Sequence, residues 1–144
     1  MNNFMLIKKI TIDQIKRISY RLAAETMNWN EPIPEFETRF PKVLESCVAT
    51  PFQKFSNLDL YNSLVSKATV LFYLMIKNHP FQNGNKRLAM TTLLVFLYLN
   101  NKWLRVDRTV LYNFAVWVAG SSSDFKDEVI QAIEKFIKKY MVNF

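Results

Sequence analysis

Glycine occurs only twice in the chain, at Gly84 and Gly120, and no other count limits the fold so tightly. Sheet-rich domains use glycine wherever a hairpin needs positive φ or a bulge needs close backbone approach, and two residues cannot serve many such turns. The expectation is therefore an all-α bundle. Proline placement agrees, because Pro32, Pro34, Pro41, Pro51 and Pro80 leave residues 52–79 and 81–144 free of the residue that breaks helices outright. With 144 residues, 50% of them hydrophobic, the chain can build the core of one domain, residues 1–144, and not of two.

The 19 Lys and Arg outnumber the 12 Asp and Glu, giving a net charge of +7. That excess is spread over Lys16, Arg17, Lys42, Lys54, Lys67, Lys86, Arg87, Lys138 and Lys139, with no zinc-finger spacing, RNP-type aromatic motif or arginine-rich arm. Nucleic acid is not the expected partner; an anionic ligand or an acidic protein accounts for the sign equally well. Cys47 stands alone, so no intrachain disulfide can form, and a single histidine, His79, builds no His-rich metal site. The apolar run Phe4 to Ile7 is too short for a signal-peptide core, and nothing approaches the ~18 apolar residues of a membrane span. The expected setting is the reducing cytoplasm, away from membranes.

Thr11 and Gln14 have capping-box spacing and open a helix to about Met27, with Ile12, Ile15, Ile18 and Leu22 on one face. Trp29 to Phe40 carries two prolines and no helical period, which predicts an extended or looped segment, the best candidate for a mobile flap. A short helix should follow over Pro41 to Ala49, with proline suited to its first turn. Asn57 to Asn78 reads as one helix capped by Asn57 and about 33 Å long at ~1.5 Å per residue. After Gly84 a second long helix runs to about Asn100, apolar on every side over Leu93 to Leu99, as a central bundle helix must be. Asp107 or Thr109 would cap a helix burying Val110, Leu111, Phe114, Ala115 and Val118 and ending at Gly120 as C′ glycine. The last helix, restarting at Ser121 to Asp124, presents Phe125, Val129, Ala132, Ile133, Phe136, Ile137 and Tyr140 on one face, with acids early and lysines late.

Between the two central helices lies His79-Pro80-Phe81-Gln82-Asn83-Gly84-Asn85-Lys86-Arg87, which gathers the one histidine and one of the two glycines. Pro80 should leave the imidazole at a helix terminus, and Gly84 should let backbone approach a ligand. Amides at the start of the next helix form an anion site, and Lys86 and Arg87 add cations where the helix dipole alone favours acids. That inversion points to a bound anion such as a nucleotide phosphate. The same residues also allow a plainer account: a helix stop, an Asn-Gly turn and a solvated basic corner. Phe81 is a core anchor on either account, and Cys47 a small buried apolar residue.

This nonapeptide resembles the signature of the Fic/Doc (Fido) superfamily, and its Lys86-Arg87 ending resembles the Doc, or death-on-curing, branch. The likeness continues outward through the long helix before the motif, the buried helix after it, the Asn100-Asn101 corner and Leu44-Glu45-Ser46 ahead of Pro51. It implies a Fido-type helical bundle in which two central apolar helices flank the motif turn beside a short extended flap. By the resemblance, His79 is the general base that takes a proton from a target hydroxyl, a role suited to imidazole, which titrates near ~6.5. Asn83, Gly84 and Asn85 would hold the nucleotide phosphates, with Lys86 and Arg87 neutralising the transferring or leaving groups. The flap would dock the target segment in extended form.

Two departures from the family pattern matter. Most members have Asp or Glu at the position of Asn83, where it ligates Mg²⁺; Asn supplies an oxygen without charge. The Fic branch proper has Gly where Lys86 stands and a second Arg at Met90, which argues against plain AMP transfer. The Doc branch implies a kinase that uses ATP and Mg²⁺ to pass the γ-phosphate to a threonine of elongation factor Tu, halting translation. It also implies an antitoxin in another chain, because no glutamate here has Ser or Thr four residues before it, as an internal inhibitory helix would require. A Fic-type AMP transferase and a catalytically weak binding module, weakened by Asn83, remain the alternatives.

Overall fold

The computed structural model describes residues 6–27 and 32–144, and the fold is a Fido-type helical bundle with two small strand pairs. Thr11 caps the first helix through the expected capping box with Gln14, its hydroxyl accepting from the Gln14 amide. Helix α1 then runs in three continuous pieces: α-helix Ile12–Gln14, a π-turn Ile15–Ser19, and α-helix Tyr20–Thr26. The wider π-turn rotates the inward face. Ile15, Ser19 and Ala23 are buried, and Ile18, expected inside, is 45% exposed.

Helix α2, Pro41–Ala49, matches the sequence reading, with proline in its first turn and Leu44 and Cys47 buried. The helix expected from Asn57 begins later. Ser56 and Asn57 both adopt positive φ, at 51° and 65°, and turn a hairpin pairing β1, Lys54–Phe55, with β2, Leu58–Asp59. Two left-handed residues between paired strands make the tight hairpin turn that asparagine tolerates well. The cap is Ser63, in a reciprocal box with Ser66, and α3 runs Leu64–Lys77. Its length is therefore about 21 Å at ~1.5 Å per residue, not 33 Å.

Helix α4, Asn85–Leu99, lies against α3 and buries Leu88, Ala89, Met90, Leu93, Val95, Phe96 and Leu97, as an all-round apolar helix should. Asp107 caps α5, Arg108–Ala119, by accepting from the Thr109 amide. Val110 is exposed, while Leu111, Ala115 and Val118 face the core. Ser122 caps a 3₁₀ turn that leads into α6, Lys126–Tyr140, and Phe125 in that turn is exposed rather than packed. Phe72, Phe114 and Phe136 stack in sequence, tying α3, α5 and α6 together. A pairing absent from the sequence reading closes the molecule: β3, Lys102–Leu104, runs antiparallel to β4, Met141–Asn143.

Gly120 ends α5, yet its φ is −82°, so the left-handed C′ role expected of it is not used. The last carbonyls of α5 are held from elsewhere instead. The Ser121 hydroxyl donates to Val118 O at 2.6 Å, and Lys77 Nζ donates to Ala119 O at 3.3 Å and Ser121 O at 2.6 Å.

Candidate active site

Helix α3 ends at Lys77 with Asn78 as its C-cap, two residues before the histidine. His79 takes φ of 50°, a left-handed conformation that costs a non-glycine residue free energy and that packing must hold in place. Phe81 supplies that hold. It is 3% exposed and packs against Phe36, ring centroids 6.1 Å apart. Asn85 completes the frame: its Oδ1 accepts from the Phe81 amide and its Nδ2 donates to Phe81 O, both at 2.9 Å.

Those two bonds fix which way round the Asn85 amide lies. Its Nδ2, a donor only, also faces His79 Nδ1 at 3.4 Å. With its proton on Nε2 the neutral ring accepts here through Nδ1, the lone pair a substrate hydroxyl would take over. The contact is long enough for a substrate hydroxyl to displace it.

Gly84 precedes α4 with φ of 76°. A Cβ there would lie 3.3 Å from Ile33 Cγ1 and 3.4 Å from Arg87 Nη2, so glycine is required by conformation and by space together. The side a Cβ would occupy faces the flap residue Ile33, while Gly84 itself also lines the cavity of the site. Asn83 also differs from expectation, for its Oδ1 accepts from the Gly84 amide at 2.8 Å. The oxygen considered for Mg²⁺ is thus engaged within the loop.

The first turn of α4 carries no acid, as the sequence indicated, and Lys86 stands half-buried there. Arg87 is buried, and its Nη1 donates to Met27 O at 3.0 Å. This guanidinium therefore secures the end of α1 as well as lining the site, and Arg108 does the same one residue earlier by donating to Thr26 O at 3.0 Å. His79, Gln82, Asn83, Gly84, Asn85, Lys86 and Arg87 all line one cavity of about 390 Å³, within the range of small-molecule sites. The sequence reading missed the far wall, Tyr112 and Ala119 from α5, positioned by the Lys77 bonds to the end of that helix. Only the packing of α5 on α4 brings them there.

The looped flap expected over Trp29 to Phe40 is found in part. Residues 29–31 lie outside those described. Residues 32–35 are irregular, and Phe36–Thr38 forms a 3₁₀ turn. This part is pinned to the bundle rather than loose: Phe40 N donates to Pro80 O at 2.8 Å, Tyr20 Oη donates to Pro34 O at 2.6 Å, and Lys16 pairs with Glu37 at 3.1 Å.

The cavity suits a phosphate-bearing anion, with a helix start and Lys86 on one side and no carboxylate among its described lining residues. It does not suit a protein-held Mg²⁺. That ion is bound through one or two carboxylates besides phosphates, whereas the described lining residues offer only neutral amide oxygens, and those of Asn83 and Asn85 already accept hydrogen bonds. No cluster of three or more His, Cys, Asp or Glu occurs among the described residues.

A helical bundle whose central turn carries this motif defines the class, and residues 9–97 match the Fic/DOC family, so the chain belongs to that family. It is similar to the Toxin Doc of Mycolicibacterium smegmatis, at 33% identity over 73 residues, covering 51% of this chain and 56% of that one. The chain thus spans little more than half the length of this curated relative. No solved structure gives a significant match. Among the described residues no helix is long and apolar enough to cross a membrane.

Proposed function

We propose that the chain is a Doc-like toxin that passes the γ-phosphate of ATP to a serine or threonine hydroxyl of a protein, with elongation factor Tu as the target the family resemblance suggests. The observation that carries this reading is the convergence of His79, the start of α4 and Lys86 on one cavity. The family membership and the likeness to a Doc toxin support it. The target hydroxyl oxygen attacks the γ-phosphorus, the bond from that phosphorus to the bridging oxygen breaks, and ADP leaves with the electron pair. The hydroxyl proton passes to His79 Nδ1 once the hydroxyl has displaced the long contact from Asn85 Nδ2. Lys86 and the opening amides of α4 meet the charge on the phosphates, and such transfer needs little beyond positioning and charge neutralisation. The cytoplasm is where both ATP and this target reside, and an antitoxin in trans would hold the activity in check.

A second reading has its own observation. With Asn83 turned onto the Gly84 amide and no carboxylate among the described residues lining the cavity, the site resembles a nucleotide-binding module of low catalytic power. Incubating the protein and its His79→Ala variant with elongation factor Tu, Mg²⁺ and ATP labelled at the γ- or the α-position separates the readings. Transfer from the γ-position alone, lost in the variant, supports the kinase; transfer from the α-position identifies an AMP transferase. If neither label moves, Asn83→Asp decides: recovery of γ-transfer marks a site weakened by Asn83, and continued silence with retained ATP binding marks the binding module.

A further inference from the structure

A second cavity, of about 750 Å³, opens at the other end of α3, separated from His79 by the length of that helix. Leu6, Ile7 and Phe52 supply apolar wall, Lys8, Lys9, Lys54 and Lys67 supply four ammonium groups, and Asp59 is the one acid among the described lining residues. Lys67 is the informative residue. It is 2% exposed, yet among the described residues its Nζ has only a bond to Pro51 O at 3.1 Å and a loose ion pair with Asp59 at 3.8 Å. An ammonium carries three donors, and a buried one seldom leaves two without close acceptors. Lys67 and Lys9 also stand over the same Phe52 ring, at 4.6 and 5.2 Å, so two positive charges converge on one apolar surface.

The surroundings indicate what would neutralise them. Phe55 and Leu58 on the adjoining hairpin are each 73% exposed, and Leu60 and Leu6 are exposed beside them. A free small anion would satisfy Lys67 and leave these side chains in water, whereas a peptide with acidic and apolar residues covers both. We propose that this end of α3 is a docking site for an acidic protein segment, one carboxylate seated against Lys67 and Lys9 and an apolar side chain on Phe52. The proposal does not rest on the reading of the His79 turn.

The test uses the full chain and a short fluorescein-labelled peptide alternating Glu and Leu, with its Gln and Leu analogue and inorganic phosphate alongside, read by fluorescence anisotropy. The expected result is binding of the Glu peptide but not the Gln analogue, weakened at least about tenfold by Lys67→Met and by Lys9→Gln. His79→Ala and the exposed control Lys135→Gln should bind as the parent does. Lys9 lies on the surface, so its variant keeps the test intact should Lys67→Met fold poorly. No binding of the Glu peptide, equal binding of the Gln analogue, equal loss with Lys135→Gln, or phosphate binding as tightly as the peptide would each overturn the proposal.

Discussion

The two glycines end up in turns of opposite kinds. Gly84 adopts φ of 76°, and a Cβ would meet Ile33 and Arg87 at 3.3 and 3.4 Å; Gly120 adopts φ of −82°, and a Cβ would find only ordinary contacts at 3.6 Å and beyond. Around Gly84 the loop is held from within, by Phe81, by the Asn85 amide and by the Asn83 oxygen. Around Gly120 the work is done from outside, by Lys77 of another helix. In the sequence the two are equally scarce, one within the motif and one at a helix end. Only the conformation shows that one glycine is indispensable and the other replaceable.

The sharpest contrast between the turns is in chemistry. His79→Ala should lower transfer by about 10²–10⁴-fold, the usual contribution of a positioned acid–base group, with an unchanged unfolding midpoint because the side chain is exposed. Next in size, Gly84→Ala should cost about 1–3 kcal/mol in urea unfolding, since a non-glycine residue in the left-handed region is strained and must also displace Ile33. Lys77→Met should cost about 1 kcal/mol by withdrawing two hydrogen bonds from the end of α5, and should loosen the Tyr112 wall of the cavity enough to weaken nucleotide binding. Gly120→Ala should break the symmetry between the glycines outright, raising stability by about 0.4–1 kcal/mol through a stiffer unfolded chain. A destabilised Gly120→Ala would show that the second turn needs its glycine after all.

A further effect lies outside both turns and touches stability only at high pH. Burial in α2 pushes the Cys47 thiol up from 9.0 to about 11, so the folded protein keeps its proton where the unfolded chain releases it. This contribution to stability is complete below pH 9 and is lost as pH climbs toward 11. At pH 8 the thiol should resist an aromatic disulfide reagent until denaturant is added.

Helix identity was legible wherever the signal was local. The Thr11 and Gln14 box, Pro41 in a first turn, Asp107 as a cap and the all-round apolar run after Gly84 each state their role within a few residues. Ser63 and Ser66 state theirs too, but the apolar spacing upstream extended the helix over them to Asn57, whose left-handed turn between Phe55 and Leu58 was the competing signal. The candidate site was legible in the same way, because scarce residues crowd nine consecutive positions.

By itself, then, the sequence determined the helical class, most helix ends and the turn proposed as the site, because caps, periodicity and a contiguous motif act over one or two turns of backbone. Tertiary structure alone decided what those residues do. It turned Arg87 onto the Met27 carbonyl, brought Tyr112 across from α5, set Ile33 against Gly84, pinned the flap to Pro80 and buried Lys67 beside Phe52. Each of these is a contact between segments far apart in the chain, fixed by how side-chain volumes fill a shared core and by which buried polar groups find partners, and no local pattern records either.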